Sequence, residues 1–200
     1  MDELLHKIPL HEIASVRGGY HFRGSAQNQP SGSIPVVQAQ DVLAGGGLRE
    51  ESLLRIEASF DPQPYSVEPG DLLFLSRGHR HRAFVMSTPP PGLIAPGYFF
   101  ILRPDPLRID PRFLAWWLNQ ASTQQALRGL RRGSNMPFIP LSVFREIPIQ
   151  LPSLEVQRRI VRAAELRVVE RELEDRLGVA RDRFIDAVTL RAASARASKD

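Results

Sequence analysis

The sequence predicts an α+β protein in which a β-rich globular domain precedes one long, charged helix. Short apolar segments separated by glycine- and proline-rich turns fill residues 1–152, a pattern typical of strands joined by tight connections. From residue 153 onward the apolar residues instead recur every three or four positions, which is helical spacing. We therefore expect a domain at 1–152, a helix at 153–194 and a frayed tail at 195–200.

Composition narrows the class of protein. The 200 residues are 42% hydrophobic, which suits a globular core, and cysteine is absent, so neither disulfides nor thiolate metal sites can form. We expect a cytoplasmic protein without a membrane span, because no apolar run nears the roughly 20 residues that a membrane helix needs. Apart from Lys7 and Lys199, the cations are all arginine. Arginine suits phosphates and guanine edges, although a genome rich in arginine codons would give the same bias.

The first forty residues read as short elements between polar turns. Residues 1–16 form an amphipathic entry segment, and Gly18 and Gly19 mark a turn. Residues 23–33 are polar and rich in glycine and serine, which indicates a loop. The stretch 34–41 predicts a strand with a polar exit.

The middle of the chain predicts a hairpin. The glycines at 45–47 indicate a flexible loop, residues 52–59 fit a strand better than a helix, and residues 61–65 fit a turn. Four consecutive apolar residues at 72–75 predict a buried strand, and 83–86 predicts the strand that returns beside it.

A strand and a helix follow. Residues 89–92 are a proline-rich, rigid connection, and the aromatic and β-branched residues at 93–102 predict one more strand. Asp110 followed by Pro111 is typical of a helix N-cap and first turn. The helix is expected to end near Gly129.

The junction at residue 152 separates the two predicted parts. Pro148 and Pro152 bracket an extended segment that cannot pair as a central strand, and Ser153 is a helix N-cap. The charged helix behind it carries an apolar stripe too narrow to be stable without a partner helix. The residues of that stripe are Ile160, Leu166, Val169, Leu173, Leu177 and Phe184.

No set of residues predicts catalysis, a cofactor or a metal ion. Asp61-Pro-Gln-Pro-Tyr65 is similar to the Asp-Pro-Pro-Tyr motif of adenine methyltransferases, but Gln63 breaks its spacing, so we interpret it as a turn. His79 and His81 have no nearby carboxylate or third histidine at a helical spacing, so metal ligation is not favoured.

Cationic loops are the better candidates for function. Arginine and asparagine pair bidentately with guanine and adenine, and serine and glycine let a backbone approach phosphates, so the loops predict DNA contact. The alternative is that they are ordinary solvated turns. The first candidate loop contains Arg77, His79, Arg80, His81 and Arg82, the second contains Arg128, Arg131, Arg132, Ser134 and Asn135, and a weaker third set contains Arg17 and Arg23 with Tyr20 and His21.

Three further pieces of sequence resemble the specificity (S) subunits of type I restriction-modification systems. They are Gly133-Ser134 followed by Ile139-Pro-Leu-Ser142, the strand Ile147-Pro-Ile-Gln-Leu-Pro152, and Glu155-Val-Gln157-Arg-Arg-Ile160, which matches Glu-x-Gln-x-x-Ile. The resemblance implies a DNA target recognition domain followed by a spacer helix. It also implies a non-catalytic subunit that brings a methyltransferase (M) subunit, and in some systems a motor-nuclease restriction (R) subunit, to DNA. S-adenosylmethionine would then bind the M subunit.

The resemblance also raises a question of stoichiometry. S subunits usually carry two recognition domains in tandem whose spacer helices pair antiparallel, whereas this sequence shows one domain and one helix. We expect a homodimer through antiparallel C-terminal helices that reads an interrupted palindrome on double-stranded DNA. Pairing with a different half-subunit is the alternative.

Two other hypotheses remain open. One is a coiled-coil adaptor whose globular head binds protein and has no DNA specificity. The other is the recognition half of a split methyltransferase-nuclease outside type I systems.

Overall fold

The computed structural model describes residues 7–24, 26–43, 48–57 and 59–197, and the predicted glycine loop at 45–47 lies outside these ranges. The chain divides into two compact units, Met1–Arg158 and Arg159–Asp200. The strands are β1 (Lys7–Pro9), β2 (Ala14–Gly18), β3 (Ile34–Val36), β4 (Leu54–Ile56), β5 (Leu72–Leu75), β6 (Ala83–Val85), β7 (Phe99–Pro104) and β8 (Pro148–Gln150). The α-helices are α1 (Ala39–Leu43), α2 (Pro111–Leu118), α3 (Ala121–Gly129), α4 (Leu141–Arg145) and α5 (Leu154–Ala197). Single 3₁₀ turns occupy Leu10–Glu12, Glu50–Ser52 and Gln63–Tyr65. The predicted α+β class with a long C-terminal helix is confirmed.

A four-stranded antiparallel sheet in the order β2-β7-β5-β6 forms the core of the first unit. Side chains alternate between the two faces of a strand, so β5 sends Leu73 and Leu75 to one side and Phe74 to the other. Leu73 and Leu75 join one apolar cluster, while the Phe74 ring lies 4.4 Å from that of Phe144 in α4. Both faces are therefore covered, which explains why every residue of β5 is buried, as its sequence predicted.

Two-stranded sheets complete the unit. β1 pairs antiparallel with β8, and β3 pairs antiparallel with β4. The prediction for the proline-bracketed segment is confirmed, because β8 pairs on one side only, with Ile149 opposite Ile8.

The predicted strand at 93–102 is too long, because β7 begins only at Phe99. In the segment before β7, successive residues form hydrogen bonds with different parts of the chain: the Ile94 N–H donates to Pro35 O and the Ala95 N–H to Tyr65 O. Pro96 has no N–H to continue a ladder, so this segment makes only isolated bridges.

The predicted single helix from Pro111 to Gly129 is likewise wrong, because it breaks into α2 and α3. Asp110 does cap the first helix, accepting a hydrogen bond from the Arg112 N–H at 2.8 Å. The break lies at Asn119, whose side-chain amide pairs with both the N–H and the C=O of Ala83 at 3.0 and 2.9 Å. This side chain binds the start of β6 where the helix ends.

Gln157, the glutamine of the Glu-x-Gln-x-x-Ile piece, anchors the first turn of α5. Its side chain is fully buried, accepts from the Asp110 N–H at 2.8 Å and donates to Arg108 O and Pro152 O at 3.1 and 2.8 Å. A buried amide has to be hydrogen-bonded, and all of these partners are backbone groups. The motif residue therefore has a structural role that its position in the sequence did not reveal.

The second unit is the long remainder of α5. The predicted stripe is half-buried at Ile160 and exposed beyond it: Leu166, Leu173, Leu177 and Phe184 keep 63%, 55%, 51% and 70% of their surface accessible. Such a row of large apolar side chains is unusual on a surface that stays in water. No helix within the described ranges is long and apolar enough to cross a membrane.

Candidate nucleic-acid interface

The first cationic loop is a tight connection between β5 and β6. Ser76, at its start, donates to Tyr98 O from both its N–H and its hydroxyl at 2.9 Å. The Leu75 N–H donates to Arg82 O at 2.9 Å and closes the loop, while Gly78 adopts a φ of +93°, which favours glycine. The residues between these hydrogen bonds lie outside the core, and Arg77, His79 and Arg80 are exposed.

The second cationic segment follows α3 and forms a small hairpin. Arg132 and Phe138 exchange backbone hydrogen bonds of 2.8 and 2.9 Å, and Gly133 turns the chain with a φ of +82°. This places Ser134 and Asn135 at an exposed tip.

The structure brings the two segments together. Arg131 donates from Nε to His81 Nε2 and from Nη2 to His79 O, both at 3.0 Å. The Gly78 N–H donates to Pro137 O at 2.8 Å beside them. The two loops therefore form one continuous surface, which we call the joined-loop surface (residues 77–82 and 128–135).

His81 lies inside this junction rather than on its surface, with 4% of its area accessible. Its Nδ1 lies 2.9 Å from Leu75 O, a position that requires the proton on Nδ1, so Nε2 is left to accept from Arg131. Burial lowers the pKa of His81, the Leu75 carbonyl opposes this shift, and the Arg131 charge adds to it. The neutral ring therefore positions Arg131 and does not face solvent.

The exposed cations of the joined-loop surface are not neutralised by acids. Within the described ranges, Arg77, Arg80 and Arg132 have no carboxylate within salt-bridge distance. Arg82 lies over the Phe84 ring at 5.9 Å, and Arg128 donates to Gln125 Oε1 at 3.1 Å. Some arginines of the same domain are instead paired with acids, as Arg55 is with Glu50 and Arg103 with Asp71. The surface is therefore a local concentration of positive charge.

The third candidate set divides into two kinds of environment. Arg17 is half-buried: its Nη2 donates to Ser66 O at 2.6 Å and lies 3.8 Å from Asp71 Oδ2. Burial lowers its pKa, neighbouring Arg103 lowers it further, and Asp71 opposes both. The Arg17 side chain is therefore held by contacts within the domain, whereas the Arg23 side chain is exposed.

A cleft of about 380 Å³ adjoins the joined-loop surface at Arg77, and two of its polar residues are not among those predicted from the sequence. Gln38 and Tyr98 were not singled out, because nothing in their local sequence separates them from ordinary loop and strand residues. Burial raises the pKa of the Tyr98 phenol, a hydrogen bond with the Ala39 backbone opposes this, and Asp41 adds to the rise. Tyr98 therefore stays a neutral hydroxyl at the wall of the cleft.

Within the described part of the chain, no three histidine, aspartate or glutamate side chains come together as a metal site would require. A cationic surface with amide and hydroxyl groups is suited to binding phosphates and base edges.

Comparison with known proteins places this arrangement in a family. Among solved structures, an S subunit of a type I restriction-modification system from M. genitalium matches with a TM-score of 0.55 and 17% identity, over 84% of this chain and 40% of that one. The HsdS subunit from Thermoanaerobacter tengcongensis matches with a TM-score of 0.59 and 23% identity, over 83% of this chain and 37% of that one. A chain from a study of type I system assembly matches with a TM-score of 0.57 and 23% identity, over 83% and 38%.

These likenesses show the fold, and the chain spans about two fifths of the length of each solved structure. The curated proteins contain no match to the sequence. The profile described as "Type I restriction modification DNA specificity domain" matches residues 4–174, which is most of the chain. The resemblance found in the sequence is therefore confirmed, and this chain belongs to the type I restriction-modification DNA specificity domain family.

Proposed function

We propose that this chain is the non-catalytic DNA-recognition subunit of a type I restriction-modification system. It directs an M subunit, and an R subunit where the system has one, to a split target on double-stranded DNA. The observation that carries the proposal is the joined-loop surface, where Arg77, Arg80 and Arg132 are exposed and have no acidic partner among the residues that the structure describes. Unpaired arginines can neutralise phosphates, and those that reach a groove can read guanine.

The hydrogen bonds of the junction support a division of labour on this surface. Arg131 uses Nε and Nη2 to hold the first loop, so its main role is to fix the distance between the loops. Arg80, Arg132 and Asn135 are among the exposed polar side chains of the surface that are left to contact DNA. Preorganised loops lose less conformational entropy on binding, which favours affinity for a target of defined shape.

We propose that the helix unit pairs with a second copy of itself, because Leu166, Leu173, Leu177 and Phe184 of its apolar stripe are symmetric about residue 175, as are Ala163 and Ala187 beyond them. When two copies run antiparallel around this point, these apolar residues lie opposite each other, although Val169 lies opposite Arg181. The opposed pairs are Ala163 with Ala187, Leu166 with Phe184 and Leu173 with Leu177.

Charges beside the stripe act in both senses. In an antiparallel pair each flank of the stripe meets its own counterpart, which brings Glu170 near Arg181 of the second copy but also brings Arg176 near its own equivalent. The direction of pairing therefore rests on the apolar stripe, and the two-fold symmetry of the pair predicts an interrupted palindrome as the DNA target.

The proposal extends to the chemistry and the location. S-adenosylmethionine and the methyl transfer would belong to the M subunit, and a complex that acts on the DNA of a bacterial host would work in the cytoplasm. Pairing with a different half-subunit would join two unlike recognition domains, and the target would then be asymmetric.

Affinity purification of the tagged chain from its native host, with mass spectrometry of the co-purifying proteins, tests the proposal. We expect a stoichiometric adenine methyltransferase, and two copies of this chain in each complex. Recovery with partners that include no methyltransferase would contradict the proposal and favour the adaptor hypothesis.

A further inference from the structure

The cleft beside Arg77 is built by segments that are distant in sequence. The Tyr20 N–H donates to Ala95 O at 2.8 Å, and the Gly97 N–H donates to Tyr20 O at 2.7 Å, so the chain after β2 is tied to the segment before β7. On the opposite side, hydrogen bonds from Ser76 to Tyr98 O hold the start of the first cationic loop. The cleft is therefore framed by backbone hydrogen bonds.

Aromatic side chains pack behind the cleft. The Tyr20 ring stacks on Phe60 with centroids 3.7 Å apart and meets the edges of Phe22 and Tyr65 at 4.8 and 5.0 Å. A Cβ on Gly97 would lie 2.4 Å from the His21 ring, so glycine is required for this close approach. The packing fixes the positions of Tyr20 and His21, which line the cleft.

Gln38 supplies a hydrogen-bonding group that the fold does not use. Its backbone is fixed, because its N–H donates to Asp41 Oδ2 at 2.7 Å and its carbonyl accepts from the Asp41 N–H at 3.1 Å. Gln38 lines the cleft, and the hydrogen bonds that it makes to the described residues use its backbone and leave the side-chain amide without a partner among them. A side-chain amide carries both donors and an acceptor, which is the pattern needed to pair with a base that offers the reverse.

We propose that this cleft is a base-reading site in which the Gln38 amide pairs with the N6 amino group and N7 of an adenine in the DNA target. The proposal rests on the recognition function proposed above and names a specificity-determining residue for it. Glutamine pairs bidentately with adenine in the major groove. A phosphate is a poorer occupant, because Arg77 is the single arginine or lysine among the residues that line the cleft.

The test compares the DNA targets of matched variants, each isolated as the complex with its methyltransferase and selected against randomised duplexes. Gln38→Ala should lose the preference for one adenine per half-site, with discrimination at that position falling about 5- to 150-fold. Its salt slope should stay unchanged, because no phosphate contact is removed. Gln38→Glu should shift that position toward cytosine, since a carboxylate can only accept.

Gln40→Ala is the matched control, because Gln40 lies two residues away on α1, is exposed and does not line the cleft. It should select the wild-type target. If Gln38→Ala selects the wild-type target with undiminished preference at every position, the base-reading site is refuted while the recognition function stands. If the wild-type complex selects no sequence at all, the recognition function fails, and this inference fails with it.

Discussion

Replacing Arg80 and Arg132 with alanine should flatten the salt dependence of DNA binding without unfolding the protein. Both side chains are exposed and unpaired, so their removal breaks no described contact. Each arginine that neutralises one phosphate contributes about 0.9 to the slope of log K against log salt. A two-fold dimer carries each position twice, so a single substitution should lower the slope by about 1.8 and the double substitution by about 3.6. Between 50 and 200 mM salt, the double variant should therefore lose about two decades less affinity than the wild type.

Fluorescence anisotropy with a labelled target duplex, titrated at several salt concentrations, would measure these slopes for the intact complex. Arg55→Ala is the matched control: it removes the same charge, but Arg55 already pairs with Glu50 at 3.1 Å, so its slope should match the wild type. An unchanged slope in the double variant would refute the assignment of the joined-loop surface to DNA. Equal flattening in Arg55→Ala would show that net charge alone sets the slope.

Three further predictions concern the fold and assembly. Burial lowers the pKa of His81 in the native state, so the unfolded chain binds its proton more readily, and stability should fall as the pH drops below about 6.5. Thermal melts against pH should show this fall weakened in His81→Gln, and an identical pH dependence would contradict the buried neutral ring. Gly19→Ala should lower the free energy of unfolding in urea by about 1–3 kcal/mol, because the added Cβ would lie 2.2 Å from Pro96 O. Gly129→Ala is the control and should leave this free energy nearly unchanged, because there is open space around Gly129. Leu173→Glu should convert a dimer to a monomer by light scattering, and a persistent dimer would show that the helix stripe is not the interface.

Local sequence patterns predict those elements whose contacts are close in sequence. Four apolar residues after Gly70 and Asp71 predict β5, because a strand buried on both faces has no polar alternation. The proline-bracketed β8 and the Asp110 cap follow from local backbone chemistry in the same way. The stripe of α5 is visible because helical periodicity persists over many turns.

The elements that the sequence missed depend on distant partners. The helix predicted from Pro111 breaks at Asn119, whose amide binds Ala83 on a different strand. The strand predicted from Leu93 is shortened because its backbone hydrogen bonds go to three separate segments. No local pattern indicates such contacts, since they exist only after the chain has folded.

The candidate site likewise has features that local sequence predicts and features that depend on contacts between distant residues. Residue type and clustering were enough to select the two cationic loops, but their contact through Arg131 and His81 joins residues 50 positions apart. The sequence does not distinguish a half-buried arginine from an exposed one. In the structure Arg17 donates to Ser66 O and is half-buried, whereas Arg23 is exposed. Gln38 gains its proposed role only from the cleft around it.

Selection of randomised duplexes by the purified complex, followed by sequencing, would determine whether this chain recognises a palindromic DNA target. We predict one enriched motif made of two identical half-sites in inverted orientation, separated by a spacer of constant length. Enrichment of two unlike half-sites would contradict the homodimer. The absence of any enriched sequence, in a complex that contains the methyltransferase, would contradict DNA recognition by this chain.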